Sequence, residues 1–336
     1  MQISDKETDW DIIQTIQQLR SQHPDLVIVI YGPTATGKSA LSLRLANHFS
    51  SEIISADSRQ VYRYMDIWTD KVTQDIRDRI PHHLIDNINP DESYSAYQRQ
   101  QDCKRIVADL IDRSILPIIV WWTGLYIDTI YKNFSLPPEI PADRSRRHEL
   151  ELLEQQQPWY CRSLLNIVDP DTASEFHPSN LRYIIRAIEI YEKTGLQKSV
   201  LAQEHPVDHP LLMLSLTRNI EDAQILIHKR VEEMIERGLI QEVQWLLDHW
   251  YHADLQSMNG IGYRQTVSRL KDGWKMIEEK WWDLLSSIYS LSSSITLASV
   301  QYAKRQRTRF RRYQKDARDN PKQSVYYLEI NLDTLK

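Results

Sequence analysis

The sequence predicts an α/β fold, in which a doubly wound parallel sheet carries a helical insert domain and a helical C-terminal region. Short apolar runs alternate with segments of helical period between residues 26 and 120. The run 116–120 is wholly apolar, which is typical of a strand in the middle of a parallel sheet. A proline-rich stretch, 137–141, ends the alternation, and a new apolar run at 211–216 restores it.

The order of the elements divides the chain into five segments. We expect strands at 26–31, 53–55, 82–86, 116–120 and 211–216, and helices at 8–22, 97–113 and 220–238. Residues 142–203 are almost wholly helical in period, with a turn at 169–171. The predicted segments are an N-terminal helical extension (1–24), an α/β core (25–137), a helical insert (138–204), the remainder of the core with C-terminal helices (205–315) and a tail (316–336).

One motif identifies the class of ligand. The sequence Gly-Pro-Thr-Ala-Thr-Gly-Lys-Ser at 32–39 follows the first strand and opens a helix, which is the setting of a P-loop NTPase-like phosphate loop. Glycines let successive N–H groups point at a phosphate, Lys38 meets the outer phosphates, and the Ser39 hydroxyl is suited to ligating Mg²⁺. We therefore predict that a di- or triphosphate is bound by Gly32, Pro33, Thr34, Ala35, Thr36, Gly37, Lys38 and Ser39.

Composition excludes several classes of protein. The chain has 336 residues, of which 41% are hydrophobic and 26% charged, so it can bury a sizeable core. Two cysteines offer no disulfide framework, and no apolar run approaches the ~20 residues of a membrane span. We expect a cytoplasmic protein with no membrane partner. The net charge of -5 argues weakly against nucleic-acid binding, but seven basic residues lie between positions 304 and 315.

A carboxylate at the end of the second strand is the next candidate site residue. Asp57 lies where an open α/β sheet presents ligand-facing residues, beside the phosphate loop. It is suited to holding Mg²⁺, to acting as a general base, or simply to capping a helix. Gln60 has the donor and acceptor that read an adenine edge, and Tyr62 has a ring on which a base can stack; packing alone is the alternative for both.

Six blocks of sequence together carry a resemblance to a known family. They are the phosphate loop at 32–39, Ser-Ala-Asp-Ser-Arg-Gln-Val-Tyr-Arg at 55–63, Pro-His-His-Leu-Ile-Asp at 81–86, Thr-Gly-Leu-Tyr-Ile at 123–127, Gly-Tyr-Arg at 262–264 and Gln-Tyr-Ala-Lys-Arg-Gln at 301–306. Over about residues 25–312 the chain resembles the tRNA dimethylallyltransferases. The resemblance implies transfer of a dimethylallyl group from dimethylallyl pyrophosphate to the exocyclic amine of the adenosine 3′ of a tRNA anticodon.

The resemblance also implies roles for individual residues. Allyl transfer builds positive charge on the prenyl carbon as pyrophosphate leaves, so Lys38, Thr123 and Arg218 are expected at the leaving group. Asp57 is expected to take or orient the amine hydrogen. The expected tRNA contacts are Asp57, Ser58, Arg59, Gln60, Arg182, Arg186, Gly262, Tyr263, Arg264, Lys304, Arg305, Gln306, Arg307, Arg309 and Arg311. Mg²⁺ on Ser39, the anticodon stem-loop as partner and a monomeric state complete the expectation.

The chain departs from the family at several tryptophans. Trp68, Trp121 and Trp122 stand where the family usually has glycine, and Trp159 and Trp250 lie in turn-like segments. Ten tryptophans against eight glycines is an unusual balance, since glycine averages about 7% of residues. One hypothesis is that the gene reads UGA as glycine, so that these positions are glycine in the native product. If the tryptophans are genuine, a tRNA-binding homologue with impaired catalysis is favoured.

A P-loop kinase or NTPase is the alternative from another class of enzyme. In that case Asp57 binds Mg²⁺ and a γ-phosphate is moved, so turnover of ATP or GTP is expected. The sequence has no evident cluster of lid arginines and no motif for a particular nucleotide base, which argues against this alternative.

Overall fold

The computed structural model describes residues 9–121, 124–136, 143–271, 281–319 and 321–333. The strands are β1 (Val27–Tyr31), β2 (Glu52–Ala56), β3 (His82–His83), β4 (Pro117–Trp121), β5 (Leu211–Thr217) and β6 (Val325–Asn331). They form one sheet in the order β3-β2-β4-β1-β5-β6, in which every neighbouring pair is parallel. The predicted α/β fold with a parallel sheet is confirmed.

Five strands lie where the sequence predicts them, four of them to within one residue at each end, and the fifth is shorter than predicted. β3 ends after His83, because Leu84 and Asp86 adopt left-handed backbone with φ of 61° and 57°. Such residues cannot continue an extended strand. β6 is an addition: it lies within the segment predicted as a tail and pairs with β5 along its whole length.

Helices occupy most of the remaining described chain. They are α1 (Asp9–Gln22), α2 (Lys38–Phe49), α3 (Gln74–Arg79), α4 (Ala96–Asp112), α5 (Gly124–Tyr131), α6 (Arg144–Gln156), α7 (Tyr160–Val168), α8 (Pro170–Glu175), α9 (Leu181–Thr194), α10 (Lys198–Leu201), α11 (Ile220–Glu236), α12 (Leu239–Asp248), α13 (Tyr263–Lys271) and α14 (Trp281–Asp319). A short 3₁₀ helix covers Ser257–Asn259. None of the described helices is both long and apolar enough to cross a membrane.

The core of the sheet is built around its central strand, β1. Ile28 is fully buried and lies in register with Ile118 of β4 and Leu212 of β5. Ile12 of α1 and Leu41 of α2 belong to the same apolar cluster. Full burial of such a side chain contributes about 2 kcal/mol to the free energy of unfolding. Because all strands are parallel, their carboxyl ends meet at one edge, where open α/β sheets bind their ligands.

The chain forms two compact units. The first contains residues 1–94, 102–127 and 207–336, and the second contains residues 95–101 and 128–206. The first unit therefore holds the whole sheet. The second is helical and has a core of its own, in which Leu150, Leu165 and Ile188 are buried. The sequence-based boundaries of the insert, 138 and 204, stay a prediction.

Two tryptophans adopt a backbone conformation that usually requires glycine. Trp159 (φ 74°) precedes α7, and Trp250 (φ 71°) follows α12. The left-handed region costs a residue with a side chain about 1 to 2 kcal/mol. The two side chains are 54% and 82% exposed, so packing offsets little of this cost. The backbone at both positions is the one that glycine adopts most readily.

Candidate functional site

The phosphate loop joins β1 to α2 at the ligand-binding edge of the sheet. Lys38 folds back over the loop, and its Nζ donates to the carbonyl oxygens of Gly32 and Pro33 at 2.8 and 2.7 Å. Thr36 Oγ1 donates to Pro33 O at 2.7 Å and closes the turn. The first N–H groups of α2 have no intrahelical acceptor, so they are available to a phosphate.

Burial changes the charge state of Lys38. Desolvation, followed by repulsion from Arg230, lowers the pKa of its ammonium group from 10.5 to about 7, while Asp57 acts in the opposite direction. A diphosphate in the loop would add negative charge and raise this pKa again. Binding of an anion and protonation of Lys38 are therefore coupled.

A buried amide from α14 holds the middle of the loop. Gln306 Oε1 accepts hydrogen bonds from the backbone N–H of Thr34 at 3.0 Å and from Thr34 Oγ1 at 3.2 Å. The Gln306 residue is only 5% exposed. The structure thus places this predicted RNA contact against the phosphate loop rather than at the surface.

Asp57 follows β2 directly and lines a cavity of about 370 Å³. Its Oδ1 accepts a hydrogen bond of 2.6 Å from the backbone N–H of Arg59, which fixes the carboxylate at the cavity wall. No helix begins in the fully described stretch 57–73, so the helix-capping alternative for Asp57 is wrong. Thr34 of the phosphate loop lines the same cavity, which therefore brings the loop and a carboxylate together.

Part of the cavity wall comes from α11. Ile227, Val231 and Met234 present an apolar surface at helical spacing, and Arg230 lies among them. Arg230 pairs with Asp70 at 3.0 Å. These four residues are not among the predicted site residues, although their spacing along one face of a helix is a signal present in the sequence.

Two further segments contribute to the wall. Asn259, Gly260, Ile261 and Arg264 come from the segment around the start of α13, and Ser299, Tyr302 and Arg305 come from α14. Arg305 lies over the ring of Tyr302, 6.0 Å from its centroid. Arg264, Lys304, Arg305 and Arg311 are exposed, and Arg309 is half-buried. The basic residues predicted to meet tRNA thus include two, Arg264 and Arg305, that also line the Asp57 cavity.

Several predicted contact residues are buried instead of exposed. Gln60 uses both ends of its amide within the protein: Oε1 accepts from Ser55 Oγ at 2.6 Å, and Nε2 donates to Thr69 O at 2.9 Å. Tyr263 is fully buried, and its hydroxyl donates to Glu242 Oε1 at 2.7 Å. Burial raises the pKa of both partners in that pair. These side chains have no exposed face for RNA in this structure.

Neighbouring residues of the same sets are buried or already engaged. Tyr62, which the sequence offered as a stacking face, is 3% exposed. Gly262 is also buried. The guanidinium of Arg59 donates to the carbonyl oxygens of Gln256 and Ser257. Ser58 is half-buried and lines the Asp57 cavity.

A second cavity, of about 210 Å³, has Pro33 of the phosphate loop in its lining. Arg218, Arg307 and Arg311 line it together with Glu329. Arg307 donates to the backbone carbonyl of Arg218 at 2.9 Å, and burial followed by the charge of Arg311 lowers the pKa of Arg307. Arg218 therefore opens onto a cavity that Asp57 does not line.

Three other predicted residues lie elsewhere. In the helical unit, Arg182 is exposed and Arg186 pairs with Glu189 at 3.2 Å. Thr123, like Trp122, lies outside the described residues.

The metal prediction rests on few protein ligands. Among the described residues, no group of three or more His, Cys, Asp or Glu side chains could hold a metal ion. Ser39 is half-buried at the start of α2. Mg²⁺ commonly takes only one or two protein ligands and fills its shell with substrate phosphates and water. The phosphate loop with Ser39 fits that mode of binding.

Comparison with known proteins gives consistent results over most of the chain. The family model described as IPP transferase matches residues 60–313, and one described as isopentenyl transferase matches residues 26–75. A tRNA dimethylallyltransferase of Thermotoga petrophila is 42% identical over 73% of this chain and 80% of its own. One of Oceanobacillus iheyensis is 37% identical over 85% of this chain and 88% of its own.

Solved structures agree with these relatives. The tRNA isopentenylpyrophosphate transferase of Bacillus halodurans is 34% identical, with a TM-score of 0.60 over 91% of this chain and 90% of its own. A eukaryotic dimethylallyltransferase described as acting on tRNA is 27% identical, with a TM-score of 0.73 over 92% of this chain and 75% of its own.

Proposed function

Since the chain belongs to the tRNA dimethylallyltransferase family, the IPP transferases, we propose that it prenylates tRNA in the cavity beside Asp57. The donor is dimethylallyl pyrophosphate, and the acceptor is the exocyclic amine of the adenosine 3′ of the anticodon. One observation carries the proposal: Thr34 of the phosphate loop and Asp57 line the same cavity. A diphosphate in the loop and an amine beside Asp57 would therefore face one another.

The reaction exchanges one bond for another. The bond between the prenyl carbon and the diphosphate oxygen breaks, and the diphosphate leaves with the electron pair. The adenine nitrogen forms the new bond to the same carbon and gives up one proton. Asp57, fixed by the N–H of Arg59, accepts or orients that proton.

The phosphate loop acts on the leaving group. Negative charge grows on the diphosphate in the transition state, so donors that are already aimed at it lower the barrier. Lys38 and the first N–H groups of α2 supply these donors, and the carbonyls of Gly32 and Pro33 hold the ammonium in place. The apolar wall of Ile227, Val231 and Met234 suits a dimethylallyl group. We propose that Thr123 and Arg218, as predicted from the sequence, also contact the pyrophosphate as it leaves.

Mg²⁺ is part of the proposal. Ser39 would hold it beside the loop, where it would neutralise charge on the departing diphosphate. Lys38 and the helix N-terminus act on that diphosphate independently of the metal.

The tRNA would be bound mainly by phosphate contacts. Exposed basic residues of α14, with Arg264 at the mouth of the cavity, would position the anticodon stem-loop without reading its sequence. Arg182 and Arg186 would add contacts from the helical unit. An unpaired loop base can be extruded into such a cavity for a few kcal/mol. We propose positioning roles, rather than direct contacts, for Gln60, Tyr263 and Gln306, and a monomeric state for the protein.

Transfer of labelled dimethylallyl from its pyrophosphate to an unmodified tRNA, with Mg²⁺ present, tests the function. We expect Asp57→Asn to lower the rate by about 10² to 10⁴-fold while tRNA binding persists. Asp254→Asn, which changes an exposed carboxylate outside the cavity, is the matched control and leaves the rate unchanged. Equal rates for Asp57→Asn and the unaltered chain would contradict the base assignment. ATP hydrolysis without prenyl transfer would favour the P-loop NTPase alternative.

A further inference from the structure

The indole of Trp68 lies flat against the backbone of Gly262. A Cβ at Gly262 would stand 2.6 Å from Trp68 Cε3 and 2.7 Å from Cγ, far inside van der Waals contact. Gly262 also has φ +81°, a conformation that side chains rarely adopt. The Trp68 ring therefore occupies space that any side chain at position 262 would fill, so this contact requires glycine there.

The segment that carries Trp68 is held firmly on both sides. Lys71 is buried and pairs with Asp66 at 2.6 Å and Asp86 at 2.5 Å. Glu242 accepts hydrogen bonds of 2.8 Å from the backbone N–H groups of Asp66 and Ile67. The position of the indole thus follows from a network around it and not from contacts of the ring alone.

The ring stands inside the cavity that contains the proposed catalytic carboxylate. Trp68 lines that cavity together with Asp57, Ile261 and Arg264. Indole and adenine are both planar pairs of fused five- and six-membered rings, so a backbone face that accommodates the flat ring of one has the shape to accommodate the other.

We infer that the Gly262 face is the seat of the acceptor adenine and that Trp68 occupies it in this structure. The inference rests on the proposed function, since it places the acceptor base of that reaction. Adenine and the indole compete for one surface, so tRNA reacts only with molecules in which the ring has moved away. The apparent affinity for tRNA is reduced by the fraction of molecules in that state.

The variant Trp68→Gly tests the seat. We expect kcat/KM for tRNA to rise about tenfold, while KM for dimethylallyl pyrophosphate changes less than twofold, because the phosphate loop is untouched. Trp68→Leu keeps an apolar side chain at this position without a planar ring, so it provides a second test if the glycine variant does not fold. Its kcat/KM for tRNA is expected to lie between those of the unaltered chain and Trp68→Gly. Trp250→Gly is the matched control, since its exposed indole lies outside the cavity.

A fluorescent base analogue distinguishes binding of the acceptor base at the Gly262 face from a change in activity that has another cause. With 2-aminopurine in place of the acceptor adenosine in an anticodon stem-loop, extrusion of the base from the loop stack onto the backbone face of Gly262 raises its emission. We expect this rise to be larger in Trp68→Gly than in the unaltered chain. A lower kcat/KM for tRNA in both Trp68 variants would overturn the inference and make the indole a stacking platform for the base. If no variant transfers the prenyl group and all of them still bind pyrophosphate, the proposed function itself fails, and the seat fails with it.

Discussion

Helices α9 and α12 end on the same backbone conformation but on opposite kinds of residue. α9 is followed by Gly195 with φ 70°, and the end of α12 is closed by Trp250 with φ 71°. At the second end the N–H of Tyr251 donates to Leu246 O at 3.1 Å and that of Trp250 to Leu247 O at 3.3 Å. These two bonds define a helix end whose left-handed residue is usually glycine.

The starts of helices repeat the contrast. Gly37 and Gly238 precede α2 and α12 with φ of 66° and 100°, whereas Trp159 precedes α7 with φ 74°. The backbone is left-handed at each of these positions, and the type of residue decides what that conformation costs. Tryptophan gains nothing there that glycine lacks, because both indoles are exposed.

The occurrence of tryptophan where helix ends usually have glycine raises the question of which residue the native protein carries at these positions. If the gene reads UGA as glycine, peptides that span positions 68, 159 and 250 carry glycine in protein isolated from its own source. Mass spectrometry of those peptides measures this directly. UGG codons at every suspect position, 68, 121, 122, 159 and 250, would end the hypothesis, and the strain at Trp159 and Trp250 would then be genuine.

The largest expected effect lies at the phosphate loop, where glycine is required for space. A Cβ at Gly32 would collide with Leu216 O and stand 2.9 Å from Thr36 Oγ1. We expect Gly32→Ala to weaken diphosphate binding by about 3 kcal/mol, or more than 100-fold. Isothermal titration with pyrophosphate measures it. Gly195→Ala is the control: its Cβ would meet no atom within 4 Å, so diphosphate binding should not change.

The next effect couples a glycine to a tryptophan. Gly262→Ala places a methyl group in the Trp68 ring, and we expect the free energy of unfolding to fall by about 2 kcal/mol. In the Trp68→Gly background the clash disappears, and only the cost of positive φ, about 1 kcal/mol, remains. Chemical denaturation of the four proteins in this cycle gives the coupling energy. Additive effects would contradict the contact between the two residues.

The fold could be read from the sequence where local signals decide the outcome. The first strand, the phosphate loop and the start of α2 at Lys38 follow from an apolar run and a glycine motif. The end of β3 could not, because the left-handed residues Leu84 and Asp86 have no local signature. β6 carries an alternating pattern, but it pairs with a strand about a hundred residues earlier, and such pairing leaves no local signal.

The site was predictable in its chemistry and less so in its exposure. Asp57 and Lys38 lie at the edge that the motif predicts. Exposure of a side chain depends on which other segments pack against it. Tyr263 donates a hydrogen bond to Glu242 of α12, and Gln60 donates one to the backbone carbonyl of Thr69. Arg230 reaches the cavity from a helix that begins more than 150 residues after the loop, so its effect on Lys38 has no sequence signature.

The phosphate loop buries an ionisable side chain, Lys38, whereas Trp159 and Trp250 at the two helix ends are exposed. With a pKa of about 7, Lys38 is protonated below pH 7 and largely neutral above it. A bound diphosphate requires the ammonium form, so binding takes up a proton above pH 7 and none at pH 6. We expect the affinity for pyrophosphate to fall by up to tenfold, or about 1.4 kcal/mol, for each pH unit above 7. Titration calorimetry in buffers of different ionisation enthalpy measures the protons.

The variant Lys38→Met provides the control for this dependence. It binds pyrophosphate weakly, and its affinity should lack the slope above pH 7. In the unliganded protein the unfolded state keeps the Lys38 proton up to its ordinary pKa of 10.5, so the free energy of unfolding rises with pH between 7 and 10.5. A slope that persists in Lys38→Met would assign the proton to another group.

The smallest effect addresses the helix ends directly. Trp250→Gly and Trp159→Gly each remove a left-handed residue with a side chain, and we expect each to raise the free energy of unfolding by about 1 kcal/mol. Gly195→Ala introduces the same strain at the matching end of α9 and should lower it by about 1 kcal/mol. Urea denaturation gives all three values on one scale. Because glycine also gives the unfolded chain more freedom, the gain from the tryptophan variants and the loss from Gly195→Ala should both be slightly smaller than the strain alone. Destabilisation by both glycine variants would mean that contacts of the exposed indoles stabilise the protein by more than the backbone strain costs. Helix ends with tryptophan and helix ends with glycine would then differ in packing as well as in backbone strain.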